Sequence, residues 1–383
     1  MKLSSYAQNL HDLGILKAQG LSEVILEHKE FARYGKLDDE SFMALSMRAK
    51  ELGLRVLFEW DILMTENTFR TLIRKLPMFD NAYSALRVQD PGALNWALEN
   101  TSKPLQFIAE NGNHNKAALL GWIDFAKGRM ERISLSIELS KDVLADYCQT
   151  LGVPCELLGF GRILLFYTPR FLLSPLTSEK ISENEELAAV GESEESPHKG
   201  FPIVENRHGT FMFHIKEFSL VEFAGDLKAF GLSFFRIDLR WENRDYLKDI
   251  NSLINSFESS SFDRFKERYP QDLMRGFYLV NKTDVLFPKL KNHRLQKREG
   301  HYMGEVVEAE KGSHLAIMIK NPKGLKKSDV LKIVHPKGEE FEARVYSLKN
   351  LSLEEVEEIP AGQMALIQFV GGIWVKSQVF YNN

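Results

Sequence analysis

Along the first ~240 residues, short apolar runs alternate with longer stretches whose apolar positions recur every three or four residues. Val24-Ile25-Leu26 precedes an amphipathic stretch over 39–52, and Arg55-Val56-Leu57-Phe58 precedes one over 66–76. The runs 83–88, 105–109 and 133–136 precede helical patterns over 92–99, 116–127 and 141–151. Cys155-Glu156-Leu157-Leu158 reads as the next strand and 233–237 as the last. Strands that alternate with helices of about 10–15 residues form βαβ units and a parallel sheet. A succession of such units this long predicts a closed (β/α)8 barrel of the TIM type.

The alternation breaks between 177 and 200, where Glu179, Glu183, Glu185, Glu186, Glu192, Glu194 and Glu195 crowd among Ser, Gly and Pro. A like-charged block with little apolar content buries too little surface to order itself, so a flexible acidic insert is expected at 177–200. It is either a functional loop of the barrel's C-terminal face or a solvated excursion without a role. Past Ile250 a helical pattern runs to about Arg268, followed by irregular sequence. From His301 short alternating runs take over, at 303–307, 315–319, 330–334, 341–346, 364–369 and 373–380. Turn signals such as Asn321-Pro322-Lys323-Gly324 punctuate them, predicting a small antiparallel β-barrel. The expected organisation is a barrel domain over 1–265, a connector over 266–300 and a C-terminal β-barrel domain over 301–383.

Composition narrows the class. With 383 residues, 44% hydrophobic, 27% charged and a net charge of −4, the chain is globular, not disordered, collagen-like or coiled-coil. No apolar run reaches the ~18 residues of a membrane helix, so no membrane partner is expected. Met1-Lys2-Leu3-Ser4-Ser5-Tyr6 is too polar for a signal peptide. The two cysteines, Cys148 and Cys155, form neither a disulfide framework nor a four-thiolate site, and the expected location is cytoplasmic. The near-neutral charge gives no global argument for nucleic acid, so such binding would need a local patch.

No P-loop, His-Glu-x-x-His or Gly-x-Ser-x-Gly motif is present, and Gly159-Phe160-Gly161-Arg162 lacks the third glycine of a dinucleotide fingerprint. His208 and His214 lack a third metal ligand nearby, and nothing cationic adjoins either cysteine to activate it. What remains is polar groups at the predicted C-terminal ends of barrel strands. They are Glu27, Glu59, Asp61, Gln89, Asp90, Glu110, Asn111, Glu138, Arg162, Arg236, Asp238 and Arg240. In a (β/α)8 barrel these positions converge on one mouth, as a pocket for a polar or anionic ligand or as structural ion networks. One basic cluster, Lys289, Lys291, His293, Arg294, Lys297 and Arg298, precedes the small β-barrel. Loop residues Lys320, Lys323, Lys326 and Lys327 could extend it into an RNA-binding patch, or it is a solvated charge run.

The same residues resemble peptidase family U32, the collagenase-like peptidases, along most of the chain. Glu30-Phe31-Ala32-Arg33 is similar to the family's Phe-x-Ala-Arg segment, and Asp90-Pro91-Gly92 to its Asp-x-Gly turn. The strand 132–140 resembles its Arg-x-x-Leu-Ser-Arg-Glu-Leu-Ser segment, with Ile137 in place of the second arginine. Residues 201–206 with His208-Gly209-Thr210 resemble the segment after the family's variable insert, and Arg236-Ile237-Asp238-Leu239-Arg240 its Arg-Ile-Glu-Gly-Arg strand. Arg275-Gly276-Phe277 and 301–306 resemble the lead into its C-terminal β-barrel.

The resemblance implies a (β/α)8 barrel and a peptidase label of unknown catalytic type. It also implies kinship with proteins that support hydroxylation of tRNA, ribosomal RNA or a ubiquinone precursor. Those relatives hold a 4Fe–4S cluster on four cysteines. Here Leu164 and Phe171 stand at the first two cysteine positions, and Phe160 at the preceding histidine. Leucine and phenylalanine cannot replace thiolates, so the cluster is expected to be absent. The resulting expectation is a divergent U32 member that binds a polar ligand or partner at the barrel mouth and supports a hydroxylation pathway. A cysteine-complete U32 relative would be its protein partner. The alternatives are an RNA-binding or RNA-modification factor using the basic connector, and a genuine hydrolase.

Overall fold

A computed structural model describes residues 1–110, 114–176, 186–192, 199–279, 301–336 and 339–381. The chain divides into two compact units, Met1–Lys282 and Thr283–Asn383.

In the first unit, seven strands follow one another with helices between them. They are β1 (Lys2–Ser5), β2 (Glu23–Glu27), β3 (Arg55–Trp60), β4 (Ala85–Val88), β5 (Leu105–Ile108), β6 (Met130–Leu135) and β7 (Cys155–Gly161). The intervening helices are α1 (Leu10–Ala18), α2 (Asp39–Glu51), α3 (Glu66–Lys75), α4 (Pro91–Asn100), α5 (Lys116–Phe125) and α6 (Lys141–Thr150). Their starts are written in the sequence: Asp38, Thr65, Asp90 and Asn115 each accept a backbone N–H of the first turn of α2, α3, α4 and α5. An excursion of four strands follows β7: β8 (Leu164–Thr168), β9 (Leu187–Glu192), β10 (Lys199–Asn206) and β11 (Gly209–Phe213). Then come β12 (Glu217–Ser219), α7 (Ala224–Ala229), β13 (Phe234–Ile237), α8 (Tyr246–Asn255), α9 (Ser259–Arg268) and β14 (Leu273–Met274).

The barrel path runs β1-β13-β7-β6-β5-β4-β3-β2 with every pairing parallel. A parallel bridge between Tyr6 and Ile25 joins its two ends, completing the predicted (β/α)8 barrel. The hydrophobic pattern leaves β1 unmarked, because four residues with two serines carry no readable alternation. Its identity comes from pairing with Phe234–Ile237. The helical pattern expected from 250 to 268 is two helices, broken at Ser256, whose backbone leaves the helical region.

Outward-facing strand residues such as Val24, Leu26, Val56, Phe58, Val88, Phe107, Ile133 and Leu157 form the main core with the helices. Many alternate positions carry charge instead, beside a small apolar cluster of Tyr6, Ile25, Leu57 and Ala85. Glu23, Glu27, Glu59, Arg87, Arg132, Glu156 and Arg236 are all buried. Arg132 on β6 reaches Glu23 on β2 at 2.6 Å, although four strand steps separate them either way round the sheet, so the contact crosses the barrel interior. This interior is an ion network where branched apolar layers are usual.

Within the acidic stretch, residues 187–192 form β9. Leu187, Ala188, Ala189 and Val190 interrupt the glutamates and pair with Pro202–Glu205 in the antiparallel sheet β8-β11-β10-β9. Four small or apolar residues are enough to extend a ladder whose neighbour is already in place. The acids at 177–185 and 193–198 lie outside the described residues. The same sheet anchors the loop after β8. The buried Glu205 carboxylate accepts N–H bonds from Leu172 (2.5 Å), Leu173 (2.7 Å) and Ser174 (2.8 Å) and the Thr210 hydroxyl (2.6 Å). Those donors hold its pKa down at about 2 against the effect of burial.

The second unit is all β. Its strands are β15 (Tyr302–Glu310), β16 (His314–Ile319), β17 (Leu325–Lys326), β18 (Val330–Val334), β19 (Glu340–Arg344), β20 (Leu348–Lys349), β21 (Glu358–Ile359), β22 (Met364–Gln368) and β23 (Gln378–Tyr381). Seven form the antiparallel order β19-β18-β23-β15-β16-β22-β20 round a core that includes Val306, Ile317, Ile333, Ile367 and Val379. The loop lysines do not form a free basic surface: Lys320 pairs with Glu305, Lys326 with Glu358 and Lys327 with Glu355. Lys323 stands over the Tyr381 ring.

Candidate functional site

The C-terminal ends of the barrel strands surround a cavity of about 330 Å³. Of the residues expected there, Glu59, Asp61, Glu110, Glu138, Arg162, Arg236, Asp238 and Arg240 line it. Asp90 does not: its carboxylate accepts the Ala93 N–H at 2.8 Å and caps α4. An aspartate before a proline-led helix serves that helix first, which is why its position at a strand end misleads. Asn111 and the basic residues Lys289, Lys291, Arg294, Lys297 and Arg298 lie outside the described residues.

The mouth rests on the ion network below it. Arg87, wholly buried, donates to Glu59 at 2.8 Å and to both oxygens of Glu156 at 2.8 and 3.0 Å. Glu156 also accepts from Arg132 at 2.8 Å and pairs with Arg236 at 3.3 Å. Arg236 pairs in turn with Glu110. Arg240 is held by Glu27 and, at 2.6 Å, by Asp238, with its guanidinium 3.7 Å from the Tyr6 ring centre and 4.8 Å from that of Tyr34. Arg33 donates to Asp61 at 2.7 Å, and Arg162 to Glu242 at 2.8 Å with Glu217 3.6 Å away. Gly161 allows this crowding: at φ +146° its backbone passes so close to Asp238 that a Cβ would lie 2.8 Å from the aspartate's own.

Among the described residues these ion pairs join six arginines (33, 87, 132, 162, 236, 240) to nine carboxylates in four neighbouring groups. The carboxylates are Glu23, Glu27, Glu59, Asp61, Glu110, Glu156, Glu217, Asp238 and Glu242. The surplus shows in the titration. Burial pushes Glu27 up to about 8 and Glu217 up to about 7, and raises Glu59. Glu156, Asp61 and Asp238 resist burial and stay low because arginines face them directly.

Glu27 yields a stability prediction with a definite sign. Its folded pKa of about 8 exceeds the unfolded value of about 4.3, so the folded state binds the extra proton between them. That contribution is full below about pH 4.3 and is lost as pH rises towards 8, at up to about 1.4 kcal/mol per pH unit. Glu27→Gln, always neutral, should gain stability relative to wild type as pH rises from 6 to 8 in urea unfolding. A difference independent of pH would show that Glu27 is already ionised in the folded protein at pH 6.

The remaining lining is apolar and aromatic: Ile108, Ile137, Leu158, Ile163, Leu164, Phe213, Trp241 and Phe277, with Tyr6 and Tyr34 beside Arg240. Tyr34 is 6% exposed, and its hydroxyl has no hydrogen-bond partner. Sequence reasoning missed Tyr34, Phe213 and Trp241, which come from loops and the excursion sheet and follow no strand period. It also missed Arg87, Arg132 and Glu156, although for Arg87 and Glu156 a signal exists, since each is a charge at an alternate position of an otherwise apolar strand.

Ser136 also lines the cavity, but its Oγ accepts the Glu138 N–H and no imidazole bonds to it. The His214 Nδ1 accepts the Lys216 N–H. No serine–histidine pair is therefore formed here. The 4Fe–4S cluster of cysteine-bearing relatives does not fit these residues. Leu164 lines the cavity and Phe171 is 48% exposed, where thiolates would be needed. Cys155 begins β7, at the strand end away from the mouth, and its thiol neighbours that of Cys148 on α6. Among the described residues no group of three His, Cys, Asp or Glu side chains could hold a metal ion.

A family model described as peptidase family U32 matches residues 8–283. No curated protein matches the chain. Among solved structures, the U32 peptidase Mk0906 is 9% identical, with 42% of this chain and 70% of that one covered and a TM-score of 0.37. The C-terminal domain of a Geobacillus thermoleovorans protein described as a U32 peptidase is 12% identical over 23% of this chain and 99% of that one, at 0.21. A phospho-2-dehydro-3-deoxyheptonate aldolase from Thermotoga maritima is 9% identical over 72% of each chain, at 0.37.

Proposed function

Because the chain belongs to peptidase family U32, we propose that it is a non-proteolytic member that binds a small ligand at the barrel mouth in support of a hydroxylation pathway. The observation that carries this reading is a preformed cavity of about 330 Å³ whose buried charges are already committed to one another. Hydrolysis needs a nucleophile or an activated water with a base free to take its proton; the buried carboxylates are paired, and rim-exposed Glu138 is the carboxylate a hydrolase would have to use. A cavity with apolar walls and a few fixed polar groups suits recognition. The hydroxylation part follows from the resemblance. With only two cysteines in the chain, the redox chemistry would reside in a cysteine-complete U32 partner.

The purified chain incubated with casein or gelatin should release no peptides above a heat-inactivated control. Release proportional to chain concentration that disappears in Glu138→Gln would contradict the proposal and favour the hydrolase reading.

A further inference from the structure

Three observations define the chemistry the mouth suits. Among the described residues every guanidinium lining it is already paired, so an anionic ligand would have to pull an arginine from its carboxylate. Five carboxylates line the cavity (Glu59, Asp61, Glu110, Glu138 and Asp238) against four guanidiniums, and of these Glu138 stands at the rim, 60% exposed, 3.6 Å from the His114 ring. Leu158, Ile163 and Leu164 supply an apolar surface beside these groups.

We propose that the cavity binds an organic cation, an ammonium or guanidinium group on an apolar stem, whose charge meets Glu138 at the rim while its stem lies on the aliphatic wall. This rests on the reading of the mouth as a ligand site. It replaces the expectation of an anionic ligand, because a guanidinium attracts an anion only while its own charge is unanswered. Aromatic rings at the mouth add to the preference for positive charge.

The test compares three probes of like size, 2-phenylethylamine, 2-phenylethanol and phenylacetate, titrated calorimetrically at pH 7 into the full chain and into Ile137→Trp. Ile137→Trp places an indole in the cavity, and Leu164→Trp serves if that variant fails to fold. The amine should bind at least tenfold more tightly than the alcohol, phenylacetate should give no heat, and the indole should abolish amine binding. Equal or tighter binding of the alcohol or phenylacetate, lost in the plugged variant, would overturn the cation assignment and leave the cavity as the ligand site. Amine binding untouched by the plug would put the cation elsewhere and overturn the proposal. Silence from all three probes would also overturn it, and the fate of the ligand-site reading would then rest on whether the native protein carries a ligand of its own.

Discussion

Glu156→Gln is expected to destabilise the protein by about 3–5 kcal/mol, the cost of breaking a buried ion network by removing one partner. Glu156 is the hub at which Arg87, Arg132 and Arg236 meet. Glutamine keeps the shape but presents an amide N–H₂ to guanidiniums that are themselves donors, and it leaves three cations to share fewer carboxylates. The loss should appear as a shift in urea midpoint with little change in m, because the fold and its buried area are retained. The damage should reach the mouth, since Arg236 links Glu156 to Glu110 at the cavity lining. A loss below about 1 kcal/mol would mean that the charged interior is solvated enough to tolerate a missing partner.

That hub shows where the sequence is legible and where it is not. The outer faces of β2 to β7 read clearly, since Val24, Val56, Phe107 and Leu157 fall at alternate positions next to helices with visible caps. The inner faces read poorly, because a charge inside an apolar strand has two physical solutions, exposure or pairing, and pairing depends on a partner up to 213 residues away, as with Glu27 and Arg240. Position at a strand end brought eight mouth residues onto the cavity but could not separate Asp90, whose carboxylate had a nearer backbone donor. The strand within the acidic excursion is hidden for a related reason. Its glutamates dominate the composition, but β9 forms on the four residues between them and on a neighbouring strand that local sequence does not reveal. Tyr34 reaches the mouth through tertiary approach to Arg240, which no periodicity encodes, and Trp241 arrives as the next residue of the chain.

The second large effect concerns the cavity. Ile137→Trp is expected to leave the barrel folded, because Ile137 is only half-buried at the rim, and to remove at least nine-tenths of any ligand the native protein carries. An indole there competes directly with occupancy of a space of about 330 Å³. The measurement is native mass spectrometry of wild type and Ile137→Trp purified side by side without denaturant, followed by denaturing release. The account predicts a small-molecule adduct on wild type that disappears on denaturation and is missing from the variant. A wild-type protein free of any adduct, or an adduct retained equally by the plugged variant, would contradict the claim that the mouth of this barrel is a ligand site.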